Sequence, residues 1–388
     1  VAAPTEEDAA ALRTLAGADP SSPAFQAYTA SLTRDELVDV AQLWRVPVVP
    51  ALSPDEAIGR RELLGAPDGA SPFLIAPANG RARSRRRRGP LPLSGLRVLD
   101  LGMVWAGPWC GRLLAGLGAN VVKIEGPARS DGTRAAGSGC SGAFADLNRG
   151  KRSLVLDLGR EEGRAAFLRL ARSADALIEN FSPRVMPNFG LGHDRLAAET
   201  GLLTLALPAF PSRGPWSSYV AYGGGVELAA GLAPMGAHAA PEPAPVPYLD
   251  YLSGSYGAAA VVAAIVARDR SGATARIELA QWALAECLLR ANGSRPLSPA
   301  DACDVDALLA RPALAGGGLV DRDGAEDGPC SHYRRLPFAI SGVRTRRELP
   351  APAFGADSRR VLAGWARVGP EQLAALVAGG IVREADAG

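Results

Sequence analysis

Between Leu96 and Leu207 short apolar runs alternate with amphipathic stretches, and that alternation leaves few folds open to the chain. Leu96 to Gly102 (LRVLDLG) reads as a buried strand, Pro108 to Leu117 as a helix and Asn120 to Glu125 (NVVKIE) as a second strand, which makes a βαβ unit. The pattern then repeats. Ser153 to Leu158 is a strand, Glu161 to Ala171 a helix, Asp175 to Phe181 a strand, His193 to Glu199 a short helix and Gly201 to Leu207 a strand. Strands separated by helices of this length predict a parallel sheet covered on both faces. Gly116-Leu117-Gly118-Ala119 looks like part of a dinucleotide fingerprint, but it closes a helix instead of opening one, so it is read as a glycine helix stop.

A second constraint lies further on. From Tyr251 to about Ala267 there is almost no polar interruption, which predicts a helix buried on nearly all sides. Asp250 stands at its N-terminus, where unpaired amides and the helix dipole favour an ionised carboxylate fit to act as a nucleophile. Asp is also a preferred N-cap, and residue type alone favours that plainer role. The run falls short of the ~20 residues of a membrane span, contains Ser253 and Ser255 and is bounded by Asp250 and Arg268, so a buried soluble helix is expected. Gly272 ends it. Ala275 to Leu279 then reads as a strand, Gln281 to Arg290 as an apolar helix and Glu371 to Val377 as a last helix.

Around this centre the chain divides by composition. Residues 1–75 form a small helical and extended unit: Thr33-Arg34-Asp35-Glu36 has capping-box spacing, Arg45 to Pro50 is extended, and Ser53-Pro54-Asp55-Glu56 starts a second helix. Residues 76–92, rich in Pro, Gly and Arg (Arg81, Arg83 and Arg85 to Arg88), read as a solvated linker. Residues 93–295 are the large α/β domain, 296–335 an irregular connection, and 336–388 a tail that packs back on the large domain. Lys+Arg 42 against Asp+Glu 40 leaves a formal charge of +2, so global charge gives no reason to expect nucleic acid or an anionic membrane as partner. Five scattered cysteines, Cys110, Cys140, Cys287, Cys303 and Cys330, include no CxxC pair, which argues against a disulfide scaffold or a zinc ribbon and for a reducing, cytoplasmic setting. Val1 to Ala10 carries Glu6, Glu7 and Asp8 and no apolar run, so no signal peptide is expected.

Several motifs carry a resemblance. Leu96-Arg97-Val98-Leu99-Asp100 followed by Ala106-Gly107-Pro108, then Leu117 to Glu125, Asn148 to Ser153 with Leu156-Asp157-Leu158, and Ala174 to Pro183, together resemble the family III CoA-transferases, which include the α-methylacyl-CoA racemases. The resemblance implies a Rossmann-like parallel sheet flanked by helices, plus a smaller mixed α+β domain. It implies a catalytic role for Asp250: attack on an acyl-CoA carbonyl to give a mixed anhydride, release of CoA thiolate, and passage of CoA between two carboxylic acids. Coenzyme A enters as a substrate thioester, with no tightly bound cofactor and no metal. CoA is expected near Trp105, Ala106, Leu156, Asp157, Asn180, Phe181 and Ser182, with Lys123, Arg129, Arg134, Arg149, Lys151 and Arg152 available for its phosphates. The glycine run Gly223, Gly224 and Gly225 with Tyr222, or Gly316 to Gly318, would supply an oxyanion or substrate loop. Partners are then a small-molecule acyl-CoA and a carboxylic acid, and the family implies a homodimer of interlocked chains.

The departures from the family pattern are specific. The segment Thr33 to Leu64 resembles material that usually follows the Asp250 region, so the chain is either a rearranged member or part of a tandem fusion. Trp105 stands where a polar residue is usual, Gly126 and Asn188 where arginines are common, and Tyr222 where the racemases have a histidine base. His193, His238 and His332 do not match that base, which argues against racemisation. The alternatives to CoA transfer are a repurposed biosynthetic relative acting on another thioester or a carrier-bound substrate, by racemase, dehydratase or other acyl chemistry, and a non-catalytic scaffold subunit.

Overall fold

The computed structural model describes residues 6–67, 71–81, 89–134, 142–233, 244, 246–291, 320–323, 331–334 and 349–385. Its centre is the expected sheet. Strands β2 (Arg97–Asp100), β3 (Asn120–Glu125), β4 (Arg152–Leu156), β5 (Ala176–Glu179), β6 (Leu203–Ala206) and β7 (Ala273–Leu279) run parallel. They are flanked by antiparallel edge strands β1 (Phe73–Arg81), on β7, and β10 (Val382–Arg383), on β4. The order is β1-β7-β6-β5-β2-β3-β4-β10. A separate ribbon pairs β8 (Val320–Asp323) with β9 (Ser331–Arg334). Strand β1 corrects the expected linker: Ala76, Pro77 and Ala78 pair with Arg276, Ala275 and Thr274, and after a shift of register Arg81 pairs with Ala273, so the connector begins later.

Alternation along each strand makes two cores. Val98, Val121, Ala176 and Ile178 face one side, with helices α5 (Ala106–Gly116), α11 (Tyr248–Ser271) and α12 (Gln281–Ala291). Leu99, Val122, Leu154 and Leu177 face the other, with α7 (Glu161–Ala171), α13 (Ser358–Trp365) and α14 (Pro370–Ala378). The C-terminal tail therefore closes the second face and adds β10 to the sheet edge.

The long helix differs from expectation in two ways. It begins at Tyr248, so Asp250 is its third residue and not its cap; Pro247 occupies the cap position and offers no side-chain bond. It is also buried along one stripe only: Ser253, Gly254, Gly257, Val261 and Ile265 are covered, while Tyr256, Ala259, Ala263 and Val266 are exposed. By length and composition α11 is apolar enough to cross a bilayer, yet its buried stripe is matched to α5. A Cβ at Gly254 would lie 2.5 Å from the Ala106 carbonyl oxygen and 2.9 Å from the Trp109 ring, so glycine is what lets the two helices touch.

Four N-terminal helices, α1 (Glu6–Ala16), α2 (Pro23–Ala30), α3 (Arg34–Leu43) and α4 (Pro54–Gly59), precede the sheet. The capping box expected at Thr33 with Glu36 is formed, and Ser53 with Glu56 forms a second one at the start of α4. Thr33→Ala removes one of them, and chemical denaturation should register a loss of about 1 kcal/mol. The unit docks on the segment that follows β6 and on α12. Leu52 N–H donates to the Leu228 carbonyl (3.0 Å), Gln42 exchanges bonds with the Val220 backbone, and Arg61 pairs with the buried Glu286 at 3.2 Å.

Composition hid the short helices. Besides α9 (His193–Thr200), which was expected, the chain forms α6 (Gly142–Asn148), α8 (Val185–Asn188) and α10 (Gly223–Ala229). The last corrects the reading of Gly223, Gly224 and Gly225 as a loop: all three glycines lie in the first turn of a helix.

Candidate active site

In the strand order β6-β5-β2-β3 the succession of connections reverses between β2 and β5, and the crevice above the carboxyl ends of those strands is where open α/β sheets bind ligands. Asn180, just past β5, bridges it. Its Oδ1 accepts from Met103 N–H (2.7 Å) and its Nδ2 donates to the Met103 carbonyl (2.8 Å), tying the two strand ends together. Val104, next in that turn, has φ +65, an unfavourable backbone for a β-branched residue. The strain is supported from below: Val104 N–H donates to both Asp131 carboxylate oxygens, and Lys123 pairs with Asp131 at 2.5 Å. Burial pushes the Asp131 carboxyl up, but Lys123 and the Thr133 hydrogen bonds outweigh it and hold the group below its ordinary value. Trp105 follows, and its ring lies 5.8 Å from that of Tyr251 on α11. The turn after β2 is thus delivered to the start of the Asp250 helix.

Asp250 is 5% exposed. Among the described residues one oxygen is held and the other accepts no hydrogen bond. Oδ1 accepts from Gln281 Nε2 at 2.7 Å. Oδ2 faces the α-carbon of Gly223, where a Cβ would overlap it and sit 2.9 Å from the carboxyl carbon. Any side chain at 223 would therefore cover the oxygen that the site leaves free.

Burial pushes the Asp250 carboxyl up to about 7, with the Gln281 bond acting to lower it. A carboxylate of raised pKa is more basic and more nucleophilic than an ordinary one, and is still substantially ionised near neutrality.

A second buried carboxylate lies beside it. Glu227, on α10, is fully buried and accepts from Leu249 N–H (3.3 Å) and Ala244 N–H (3.4 Å). Since Pro247 caps nothing, Glu227 supplies from another helix the acceptor that the first turn of α11 lacks. Burial pushes it up to about 7, the two amides lower it, and Asp250 raises it. The first turn of α11 is therefore oriented by a group whose charge is coupled to that of Asp250.

The remaining sequence candidates divide by place. Trp105, Ala106, Asn180, Phe181 and Ser182 do gather at the crevice. Leu156 ends β4 and Asp157 follows it, away from the crevice, where Asp157 N–H donates to the Ile381 carbonyl. The expected glycine loop is replaced by the start of α10, and its members part company there. Gly223 meets Asp250, Gly225 packs against Val49 and Ala221, and Gly224 stands between them, half-buried, as a helical residue and not as part of a loop. Tyr222, 43% exposed, precedes that helix.

The expected phosphate-binding cations are largely internal, and this corrects their reading as available surface charge. Lys123 is committed to Asp131 and the Gly102 carbonyl. Lys151 donates to Asp100 (2.7 Å), the Pro108 carbonyl and Asn148, and Arg134 forms a two-pronged pair with Glu125. Arg149 and Arg152 are half-buried, and Arg129 is exposed. Gly316 to Gly318 and His238 lie outside the described residues.

Three residues escaped the sequence reading. Gln281 opens the helix after the carboxyl end of β7, a position the parallel-sheet rule singles out. Glu227 was hidden in a helix mistaken for loop. Arg45, with φ +62, reaches from the N-terminal unit to the Ser182 hydroxyl (3.3 Å) and the Ser218 carbonyl (2.6 Å). It brings a guanidinium, near Arg184, to the edge of the crevice from a segment distant in sequence.

Comparisons with known proteins bear on the family and the fold. The family model described as CoA-transferase family III matches residues 93–296. The chain is 36% identical over 224 residues to the probable CoA-transferase Rv1866 of Mycobacterium tuberculosis, covering 55% of this chain and 28% of that protein. It is 36% identical over 202 residues to succinate–glutarate CoA-transferase of Agrobacterium fabrum (49% and 50%) and 36% identical over 200 residues to acetyl-CoA:oxalate CoA-transferase of Acetobacter aceti (49% and 51%). The chain thus spans about half the length of these relatives, or less. In fold it is similar to Rv3272 of M. tuberculosis, with TM-score 0.61 and 24% identity over 69% of this chain and 98% of that one. A CAIB/BAIF family protein from Brucella suis is similar with TM-score 0.58 and 20% identity, over 71% and 99%.

Proposed function

Because this chain belongs to CoA-transferase family III, we propose that it transfers coenzyme A from an acyl-CoA to a carboxylic acid, with Asp250 as the nucleophile and a mixed anhydride as the first intermediate. The observation that carries the reading is the asymmetry of the Asp250 carboxylate: Oδ1 is pinned by Gln281, while Oδ2 lies against Gly223 and accepts no hydrogen bond among the described residues. Such a group is oriented before substrate arrives, which is where much of the advantage of covalent catalysis lies.

CoA would enter over the β2–β5 crevice, with Trp105 and Phe181 beside it, Arg45 bonded to Ser182 and Arg184 near Arg45. The protein would act as a homodimer in the cytoplasm. The internal use of Lys123, Lys151 and Arg134 favours one variant of this reading, in which the thioester is carried by a group with fewer phosphates than CoA.

The test is exchange: an isotopically labelled carboxylate should enter acyl-CoA when the protein is incubated with acetyl-CoA or succinyl-CoA and a panel of mono- and dicarboxylates. Thermal stability should also rise with CoA, by about 2.7 kcal/mol at 100 times Kd. No exchange across the panel, together with no stabilisation at millimolar CoA, would exclude CoA as the substrate.

A further inference from the structure

We propose that Gln281 is a catalytic residue of this site: its Nε2–H stabilises negative charge on Oδ1 of Asp250 whenever the aspartyl carbonyl is itself attacked. The inference rests on Asp250 being the nucleophile.

Transfer by that route needs four displacements. Oδ2 attacks the acyl carbon of the donor, the C–S bond breaks, and CoA leaves as thiolate with the electron pair. The thiolate then attacks Cγ of Asp250, the anhydride C–O bond breaks, and the first carboxylate leaves. The acceptor carboxylate attacks Cγ of the aspartyl thioester and displaces the thiolate again. Finally the thiolate attacks the acceptor's acyl carbon, and Asp250 leaves as carboxylate. No net proton, oxidant or reductant is consumed. In the second and third displacements Cγ is the electrophile, and the charge of the tetrahedral intermediate develops on the oxygen that stays a carbonyl. Since Oδ2 is the open oxygen, that carbonyl oxygen is Oδ1.

The geometry meets what such a role requires. The donor stands 2.7 Å from Oδ1 before any reaction, in a site where Gln281 and Asp250 are each 5% exposed, so its effect is little screened by water. The residue is fixed by its own backbone: Gln281 N–H donates to the Pro208 carbonyl at 2.9 Å, at the junction of β7 and α12. The amide can offer only its nitrogen to an ionised carboxylate, because a carboxylate accepts and does not donate. The other amide atom, Oε1, is buried with no hydrogen-bond partner among the described residues. A glutamine retained for packing alone would gain nothing from that orphaned acceptor.

Hydroxylamine separates this role from a structural one. It can attack the mixed anhydride at Cγ, leaving a hydroxamate on Asp250, or at the acyl carbon, leaving a free acyl hydroxamate. The first path uses Gln281 and the second does not. With acetyl-CoA or succinyl-CoA as donor, Gln281→Leu also loses the bond that orients Asp250 and lowers its pKa, so CoA thiol release should slow, but by clearly less than turnover does. The ratio of Asp250 hydroxamate to free acyl hydroxamate, by mass spectrometry and corrected for the uncatalysed blank, should fall about 10²-fold or more. Gln281→Asn, whose shorter amide does not reach Oδ1, should show the same change in ratio and serves if the leucine variant does not fold. An unchanged ratio in whichever variant folds, or a fall in thiol release as large as the fall in turnover, overturns the role. If instead the wild-type protein forms no hydroxamate at Asp250 and Asp250→Asn still releases thiol, the nucleophile reading itself has failed, and this inference with it.

Discussion

Asp250→Asn should abolish CoA exchange, by about 10⁴-fold or more, because the amide cannot form the covalent intermediate on which every later displacement depends. The same substitution should make the folded protein more stable at neutral and alkaline pH. Burial raises the Asp250 carboxyl from an ordinary value of 3.8 to about 7. A group whose folded pKa is raised contributes its full stability below the unfolded value and loses it as pH climbs through the folded one. Wild type and variant should therefore have similar stability near pH 4. They should diverge between pH 4 and 7, with the asparagine protein ahead by an amount on the order of 4 kcal/mol above pH 8. Oδ1 of asparagine can still accept the Gln281 bond, so the geometry of the pocket is retained. Urea denaturation across that pH range, run beside the exchange assay, measures both effects. A variant that loses activity without gaining alkaline stability would mean that Asp250 titrates normally and that the site is wetter than its 5% exposure indicates. In the wild-type protein, the rate of Asp250 acylation should rise with pH through about 7 and then level.

What could be read in the chain beforehand was whatever depends on local pattern. The strands from Val98 to Leu205 have a period of two and apolar content on both faces, and the expected and observed elements agree to within a residue or two at β3 and α7. Asp250 stood out because a carboxylate before a long apolar helix is conspicuous; Trp105 and Asn180 were named only through the family resemblance, and the structure sets them just past β2 and β5. Its partners were not legible. Gln281 and Glu227 act on Asp250 through contacts 31 and 22 or 23 residues apart in sequence, and each is an unremarkable polar residue within its own helix. The first turn of α10 was lost because Gly223, Gly224 and Gly225 in succession have poor helix propensity; the fold tolerates them because Gly223 must leave Oδ2 uncovered and Gly225 packs against Val49 of the N-terminal unit. Strand β1 was lost for a related reason. Its Pro77 and Gly80 read as linker composition, but on the edge of a sheet a proline is allowed where its missing N–H faces outward.

Charge misled most, since a lysine's partners cannot be seen from its neighbours in sequence. Lys151 shows this in its largest form. Read as a cation for a CoA phosphate, it would cost only binding when removed: roughly 1.5 to 3 kcal/mol of affinity with folding untouched. The structure gives it another role. Its ammonium has no solvent-exposed surface and joins Asp100 at the end of β2, the Pro108 carbonyl in the first turn of α5 and Asn148 at the end of α6. Burial pulls it down to about 8, against the opposing pull of Asp100. Asp100 in turn accepts from Gly102 N–H, so the pair sits directly beneath the turn that carries Val104 and Trp105. Lys151→Met should then destabilise the protein by about 3 to 5 kcal/mol, since the Asp100 carboxylate is left buried without its counter-charge. That is a large share of a domain's usual stability of about 5 to 15 kcal/mol. Adding Asp100→Asn removes the stranded charge while keeping an acceptor for Gly102, and the double variant should recover more than half of the loss. Urea unfolding of the two proteins, with CoA titration of the refolded double variant, separates the roles. A single variant as stable as wild type but weak for CoA would return Lys151 to the binding surface. A double variant no better than the single would mean that the lysine's packing, and not its charge, holds the turn under Trp105.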